Sequence, residues 1–290
     1  MAFKSSQQVM EAARDSGVRK AALTPDRQLV SGVMGGAFIA FGSLVAISVT
    51  GGLDPARWGT LPNLFYGLTF STGLILVVLL GTELVTSNMG LLPMAVLDRK
   101  ARVGPVVRSI VLVTAGNLVG SLAVAYFFAV HSGVIGTAKG TGPAHLLYTR
   151  LAAIGTAKAV TESGYEIFLR AIACNMLVVL AVLAALAAED VAGKILAIIF
   201  PITAFVAMGF DHVVANFFFL PAAMFAHVPG ITAAHVVPDI LIAYAGNLLG
   251  AAVFVGAVYW YLDLRGETAT DGGPVATTTE RLQPRRAARR

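Results

Sequence analysis

Charge is what this sequence has least of. Only 13% of its residues are Asp, Glu, Lys or Arg, while 57% are apolar. A soluble globular chain carries about 25% charged residues, so the deficit excludes an ordinary soluble domain. Cysteine is almost missing as well. Cys174 stands alone, which rules out an internal disulfide, and its place within an apolar run reads as a small buried residue. Motifs of catalysis are absent: there is no Gly-x-Ser-x-Gly and no His-Glu-x-x-His. His131, His145, His227 and His235 are scattered without metal-ligand spacing. No enzyme, no metal and no cofactor is expected.

What the chain has instead is long apolar blocks: Val30–Gly51, Leu61–Leu97, Pro105–Val130, Tyr165–Ala188, Ile195–Ala226 and Ile231–Leu262. Each is long enough to span a bilayer, which takes roughly 20 helical residues. The net charge of +5 would suit nucleic acid, but its distribution suits a membrane. Basic residues gather at Lys4, Arg14, Arg19, Lys20 and Arg27, then at Arg99, Lys100, Arg102 and Arg108, at Lys194, and from Arg265 to Arg290. With six spans these all fall on one side; Arg57, Lys139, Arg150 and Lys158 fall on the other. The positive-inside rule then puts both termini in the cytoplasm of a cell bounded by this membrane. The expected organisation is a polar leader over 1–29, with a weakly amphipathic helix at Ser5–Lys20 on the cytoplasmic face. A six-span transport domain follows over 30–263, then a disordered basic tail over 264–290. No cleavable signal peptide is expected, and the longest loop, about 132–160, faces outward.

Two blocks are too long. Leu61–Leu97 holds 37 residues, about 55 Å of straight helix, against a hydrocarbon core about 30 Å thick. Ile195–Ala226 overshoots in the same way. Neither is long enough for two spans, so each reads as one span broken at membrane depth. Irregular backbone there is tolerated only where it lines a cavity or is buried in protein. The breaks fall at Gly81–Asn88 and Gly209–Asn216, and they match. Glu83 aligns with Asp211, Asn88 with Asn216 and Pro93 with Pro221, each 128 residues on. Gly116-Asn-Leu-Val-Gly120 aligns with Gly246-Asn-Leu-Leu-Gly250, 130 residues on. The fold class is therefore an all-α membrane protein of six helices in two inverted three-helix repeats, with broken second and fifth helices. That architecture is the signature of a transport pathway at the midplane.

Ionisable side chains deep in a membrane are functional candidates. Here they are Glu83, Asp211, His212 and Arg170. The two carboxylates sit beside the breaks, where they can accept orphaned backbone N–H groups, with Asn88 and Asn216 as companions in the same structural role. His212 breaks the symmetry, since its equivalent is Leu84; so does Thr86, which answers to Val214. Histidine is the side chain suited to proton exchange near neutral pH, the alternative being a hydrogen-bonded structural histidine; the Thr86 hydroxyl can either bond it across the repeat interface or offer a donor to the anion. Asn175 lies within the fourth span and should face protein or pore. Lys158, just outside that span, can draw in anions or be a solvated loop lysine. Arg170 follows Glu166 at helical spacing and reads as its ion-pair partner.

These runs carry a resemblance. Phe70-Ser-Thr-Gly-Leu74, Gly81-Thr-Glu83-Leu-Val-Thr86-Ser, Cys174-Asn175-Met-Leu-Val and Phe205-Val-Ala-Met-Gly209-Phe-Asp211-His212 resemble the formate/nitrite transporter family over roughly residues 25–265. The resemblance implies an aquaporin-like protomer, a homopentamer in the plasma membrane, and small monovalent anions with protons as partners. It implies two apolar constrictions formed by Leu74, Phe70 and Phe205, a central His212 with Thr86 and Asn175 as hydrogen-bonding neighbours, and Lys158 as an outer lysine. The alternative is a neutral-solute pore of the water or glycerol type, but the paired Asn-Pro-Ala breaks of aquaporins are missing. An ammonium channel would need a pair of deep histidines, and only His212 is deep.

Overall fold

A computed structural model describes residues 3–265; the basic tail expected over 264–290 lies almost wholly outside the described residues. Among these residues every regular element but one isolated bridge is helical. In chain order they are α1 (Ser6–Ala22), α2 (Pro25–Thr50), α3 (Pro55–Trp58), α4 (Leu61–Leu80), α5 (Val85–Leu97), α6 (Val103–Ala123), α7 (Gly142–Thr156), α8 (Gly164–Ala187), α9 (Val191–Ala207), α10 (Val213–Phe225) and α11 (Ala233–Leu249). α6 and α11 run on through wider turns at Val124–His131 and Gly250–Ala257. Five helices are long and apolar enough to cross a membrane, and α5, α9 and α10 are shorter apolar helices.

Both expected breaks are present. α4 stops at Gly81, whose φ of +67° a side chain would resist, and α9 is followed by Gly209 at φ +74°. After each glycine the backbone runs extended into a new helix. Leu84 (φ −122°, ψ 121°) precedes α5 and His212 (φ −103°, ψ 113°) precedes α10. These two 13-residue helices are the most enclosed parts of the molecule, with Val85–Leu92 and Val213–Ala223 buried throughout.

Such breaks strand backbone donors and acceptors, which must find partners away from water. Asparagine supplies them, from the Gly-Asn-Leu-x-Gly motif on the neighbouring helix. Asn117 Oδ1 accepts the Val85 N–H at 2.8 Å, while its Nδ2 donates to the carbonyls of Glu83 (2.9 Å) and Gly32 (2.7 Å). Asn247 Oδ1 accepts the Val213 N–H at 2.8 Å, while its Nδ2 donates to the carbonyls of Asp211 and Ala171, both at 2.8 Å. The two clamps are equivalent bond for bond. The flanking glycines make the reach possible. A Cβ at Gly116 or Gly120 would collide with backbone of α2, and one at Gly246 or Gly250 with backbone of α8. The carboxylates therefore do not cap the break, as the sequence had suggested. The amides do, since an amide carries both a donor and an acceptor and a carboxylate carries acceptors only.

Three other expectations change. The stretch 132–160 is not an open loop: Pro143 opens α7 as a first-turn proline. α7 buries Tyr148, Leu151 and Gly155, with Gly155 beside Ala223 of α10. The leader does form a helix, capped by a Ser5–Gln8 box. It is not laid free on a surface, however: α1 buries Val9, Met10, Ala13 and Gly17, and Gly17 abuts the Leu91 carbonyl of α5. Arg170 pairs with Glu162 at 2.6 Å rather than with Glu166, which is engaged in capping α8 through Ser163.

Removing either clamp should be costly. Asn247→Ala strands the Val213 N–H and two carbonyls, each costing roughly 1–3 kcal/mol when buried and unpaired. We expect a loss of roughly 3 kcal/mol or more, read as a large fall in the unfolding midpoint of the purified protein in detergent, and the same for Asn117→Ala. An unchanged midpoint would show that the breaks hold themselves.

Candidate functional site

Two cavities approach each other from opposite ends of the helical body. One, of about 300 Å³, is lined by Asn63, Tyr66, Arg150, Lys158, Glu162 and Met208 and narrows to Phe70, Phe205 and His212. The other, of about 340 Å³, is lined by Arg19, Lys20, Gly81, Glu83, Ser87 and Val182 and narrows to Leu74. Between them lies a chamber of about 10 Å³ bounded by Ile39, Phe70, Leu74, Leu84, Val178, Ile202, Phe205 and His212. A water needs about 10–15 Å³ of such space and two to four polar partners. This chamber holds one molecule at most, and His212 is its one polar side chain.

Aromatic geometry sets the narrowing. The Phe70 and Phe205 rings meet edge to face with centroids 6.0 Å apart, and Phe205 lies 6.0 Å from the His212 ring. Leu74 is 2% exposed and closes the other side. The three apolar residues that the resemblance implied as two constrictions thus line one small chamber between them.

His212 is buried at the first position before α10. Its Nδ1 accepts the Ala215 N–H at 3.2 Å, which caps the helix. A nitrogen that accepts carries no proton, so the ring is neutral with its hydrogen on Nε2. Nε2 lies 2.9 Å from Thr86 Oγ1, at the start of α5. The bond expected between the two asymmetric residues is therefore present, and it ties the two breaks together. Asn175 differs from expectation. It makes no bond to His212; its Nδ2 donates to the carbonyls of Thr86 (3.1 Å) and Asn247 (2.9 Å). It supports the threonine and the clamp rather than the histidine.

The helix axes matter as much as the side chains. Leu84 and His212, which bound the chamber, are the residues from which α5 and α10 start. Both helices thus turn their N-termini toward it. A helix N-terminus carries roughly half a positive charge, and two of them favour an anion there and oppose a cation.

Each cavity also contains a lysine bound to a break carboxylate. Lys20 Nζ donates to Glu83 Oε1 at 2.8 Å, and Asn88 Nδ2 to Glu83 Oε2 at 2.7 Å. Lys158 Nζ donates to Asp211 Oδ1 at 2.5 Å, and Asn216 Nδ2 reaches the same oxygen at 3.3 Å. Lys158 is thus neither a free attractor nor a solvated loop residue; its side chain is 12% exposed. Burial pulls its pKa down, and the Asp211 carboxylate more than offsets this, so it stands above the ordinary lysine value. Sequence reading missed the role of Lys20, of both clamp asparagines, and of Asp239 and Glu162, which gather beside Asp211. The repeated Gly-Asn-Leu-x-Gly motif was the visible signal for the asparagines.

Helices long and apolar enough to cross a membrane, with a vestibule lined by charged and polar side chains on each side of an apolar slit, define a membrane transport protein. The sequence profile of the family described as Formate/nitrite transporter matches residues 7–261, and the chain belongs to that family. It is 44% identical over 260 residues to "Uncharacterized transporter YrhG" of Bacillus subtilis, covering 90% of this chain and 94% of that one. It is 40% identical to "Formate channel BtFdhC" of Bacillus thuringiensis, covering 90% and 96%. Among solved structures, "Pentameric formate channel with formate bound" superposes with a TM-score of 0.71 at 26% identity, covering 83% of this chain and 98% of that one.

The Lys158–Asp211 pair generates a prediction. Removing one partner of a buried pair leaves an uncompensated charge, worth about 3–5 kcal/mol. Lys158→Ala should lower stability by that order, and adding Asp211→Asn should recover most of the loss in denaturant or thermal unfolding. A double variant no more stable than Lys158→Ala would contradict the pairing.

Proposed function

We propose that this chain conducts small monovalent anions of weak acids, formate or nitrite in class, through the slit of each protomer, with a proton accompanying the anion. The observation that carries the reading is the convergence of the α5 and α10 N-termini on a chamber whose one polar side chain is His212. Family membership supports the substrate class, and the pentameric formate channel it resembles supports assembly as a homopentamer. The distribution of basic residues supports a plasma-membrane protein with both termini in the cytoplasm. On this reading α2, α4–α5, α6, α8, α9–α10 and α11 make six passages, and the vestibule of Lys158 faces outward.

A bare anion is held back by its dehydration cost in a low-dielectric slit. Helix N-termini at the slit offset part of that cost, and they do so for the ion before any proton moves. A weak acid has a second way to lower it, by crossing as the neutral species. His212, whose ring lines the chamber, is the group positioned to share a proton with the anion: a proton taken up from the vestibule makes the imidazolium, and passing one to the anion returns the ring to its neutral form. Phe70, Phe205 and Leu74 exclude water while this happens. Size then selects, because the space between the vestibules is only about 10 Å³.

The histidine both caps a helix and faces the slit, and one substitution separates these jobs. Asparagine at 212 can still accept the Ala215 N–H as a cap but cannot carry a proton between pH 5 and 8. In liposomes containing a pH dye, native protein should take up formate with internal acidification above the protein-free rate. His212→Asn should fold, still pass the anion, and lose most of the acidification. Acidification unchanged in His212→Asn would reduce His212 to a cap. Uptake of water or glycerol alone, with no anion movement, would overturn the proposed function.

A further inference from the structure

The duplicated architecture carries its own control. At the first break one lysine, Lys20, meets one carboxylate, Glu83, and the charges balance. At the second break Lys158 meets Asp211, and that balanced pair is all the equivalent fold requires. Two further acids stand there without counterparts. Asp239 of α11 receives Asn216 Nδ2 at 2.9 Å; the residue 130 positions earlier is Ser109. Glu162, in the turn after α7, is held by Arg170 of α8 at 2.6 Å and lies within hydrogen-bonding reach of Asp211. With all groups ionised, three carboxylates face two cations, Lys158 and Arg170.

Bonding at this cluster is also incomplete. Asp211 Oδ2, Asp239 Oδ2 and Glu162 Oε2 are all buried without a donor among the described residues, and so is Asn216 Oδ1. Asp211 and Asp239 are 0% and 2% exposed. At the first break Asn88 Oδ1 and the Thr82 hydroxyl are without partners, but both Glu83 oxygens are bonded. Buried unpaired acceptors are costly. Here they are surplus acceptors, in a place with a surplus negative charge. A proton remedies both deficits at once, since it removes one charge and supplies one O–H donor.

We propose that Asp211, Asp239 and Glu162 together hold one exchangeable proton beside the vestibule of Lys158, and that this proton sets how readily the vestibule admits anions. The proposal rests on the anion-conducting reading above. Glu162 is the member nearest the vestibule, which it lines. Around it stand Lys158 on its own turn, Asp211 from the α9–α10 break, Arg170 from α8 and Asp239 from α11, with Arg150 and His212 lining the same cavity. Burial, and then the Asp211 charge, raise its pKa to about 7, against the opposing pull of Lys158 and Arg170. The sign follows. Above neutrality Glu162 is ionised, the three acids outnumber the two cations that pair with them, Lys158 and Arg170, and the pull of Lys158 and Arg150 on anions in the vestibule is weakened. As pH falls through neutrality the cluster gains its proton, the excess vanishes, and admission rises. This proton gates entry to the vestibule; it is not the proton that His212 is proposed to share with the anion.

Two measurements on the intact protein in liposomes test this. The first is the infrared carbonyl band of a protonated carboxyl, followed through neutral pH in native protein, Glu162→Gln and Asp239→Asn. Native protein should show a band that disappears on the alkaline side of neutrality. Each variant already lacks the surplus charge, so each should lack that titration. The second is the initial rate of formate uptake. On the alkaline side Glu162→Gln should run about three- to tenfold faster than native, the effect of removing one charge several Å from the path in a partly screened medium, and its pH profile should be flat where native falls. The proton taken up per formate should be unchanged, which separates this cluster from His212. If either variant keeps the neutral-range band, or Glu162→Gln keeps the native pH profile, the proposal is wrong. If no protein moves formate at any pH, the anion reading fails, and the infrared titration alone then upholds or refutes the shared proton.

Discussion

A backbone amide inside a bilayer cannot be left to water, and this structure is arranged around two places where the helix stops supplying partners. Asn117 and Asn247 answer that constraint with the same three bonds each. Much else follows from them. The glycines beside each asparagine exist to bring α6 against α2 and α11 against α8, close enough for a short amide to reach. Because the breaks are held, α5 and α10 start near one point in the interior. Because they start there, their positive ends face the slit. An electrostatic preference for anions is thus a by-product of how the backbone is satisfied, and it needs no charged residue in the path.

The halves then diverge where chemistry is needed. Leu84 and His212 occupy equivalent positions before α5 and α10, yet only the histidine can cap, bond Thr86 and hold a proton. Likewise one break has a single balanced ion pair, while the other adds Asp239 and Glu162. Symmetry accounts for the scaffold, and the departures from it fall at the residues proposed to act.

Much of this was legible in the sequence, for identifiable reasons. Glycines and polar residues repeated at a fixed interval inside apolar runs located both breaks, and Thr86 and His212 stood out because they were the unmatched pair. The constriction residues came from resemblance, and Phe70, Leu74 and Phe205 do line one chamber. Other features were hidden. Lys20 and Lys158 are spatial equivalents 138 residues apart; they come from α1 and from the turn after α7, so they share no interval with the break residues. The clamp role of Asn117 and Asn247 was invisible because an interval shows that a residue recurs and not which atoms it reaches. α7 was read as a loop because Gly142 and Pro143 are loop formers in general, whereas proline in a first turn begins a helix.

Everything above depends on two vestibules being separated by a dry slit at the level of the breaks. The most direct test of that separation uses the chain's one cysteine, buried Cys174, replaced by alanine to give a silent background. Single cysteines are then placed at Asn63 and Met208 in one vestibule, at Thr82 and Val182 in the other, and at Ile39, Leu74 and Ile202 around the chamber. Each is exposed to a charged, water-soluble thiol reagent. Rapid labelling is expected at all four vestibule positions, from opposite sides of the membrane for the two pairs, and little or none at the three chamber positions. Comparable labelling through the chamber would mean a continuous aqueous channel and would contradict the dry slit on which the rest depends.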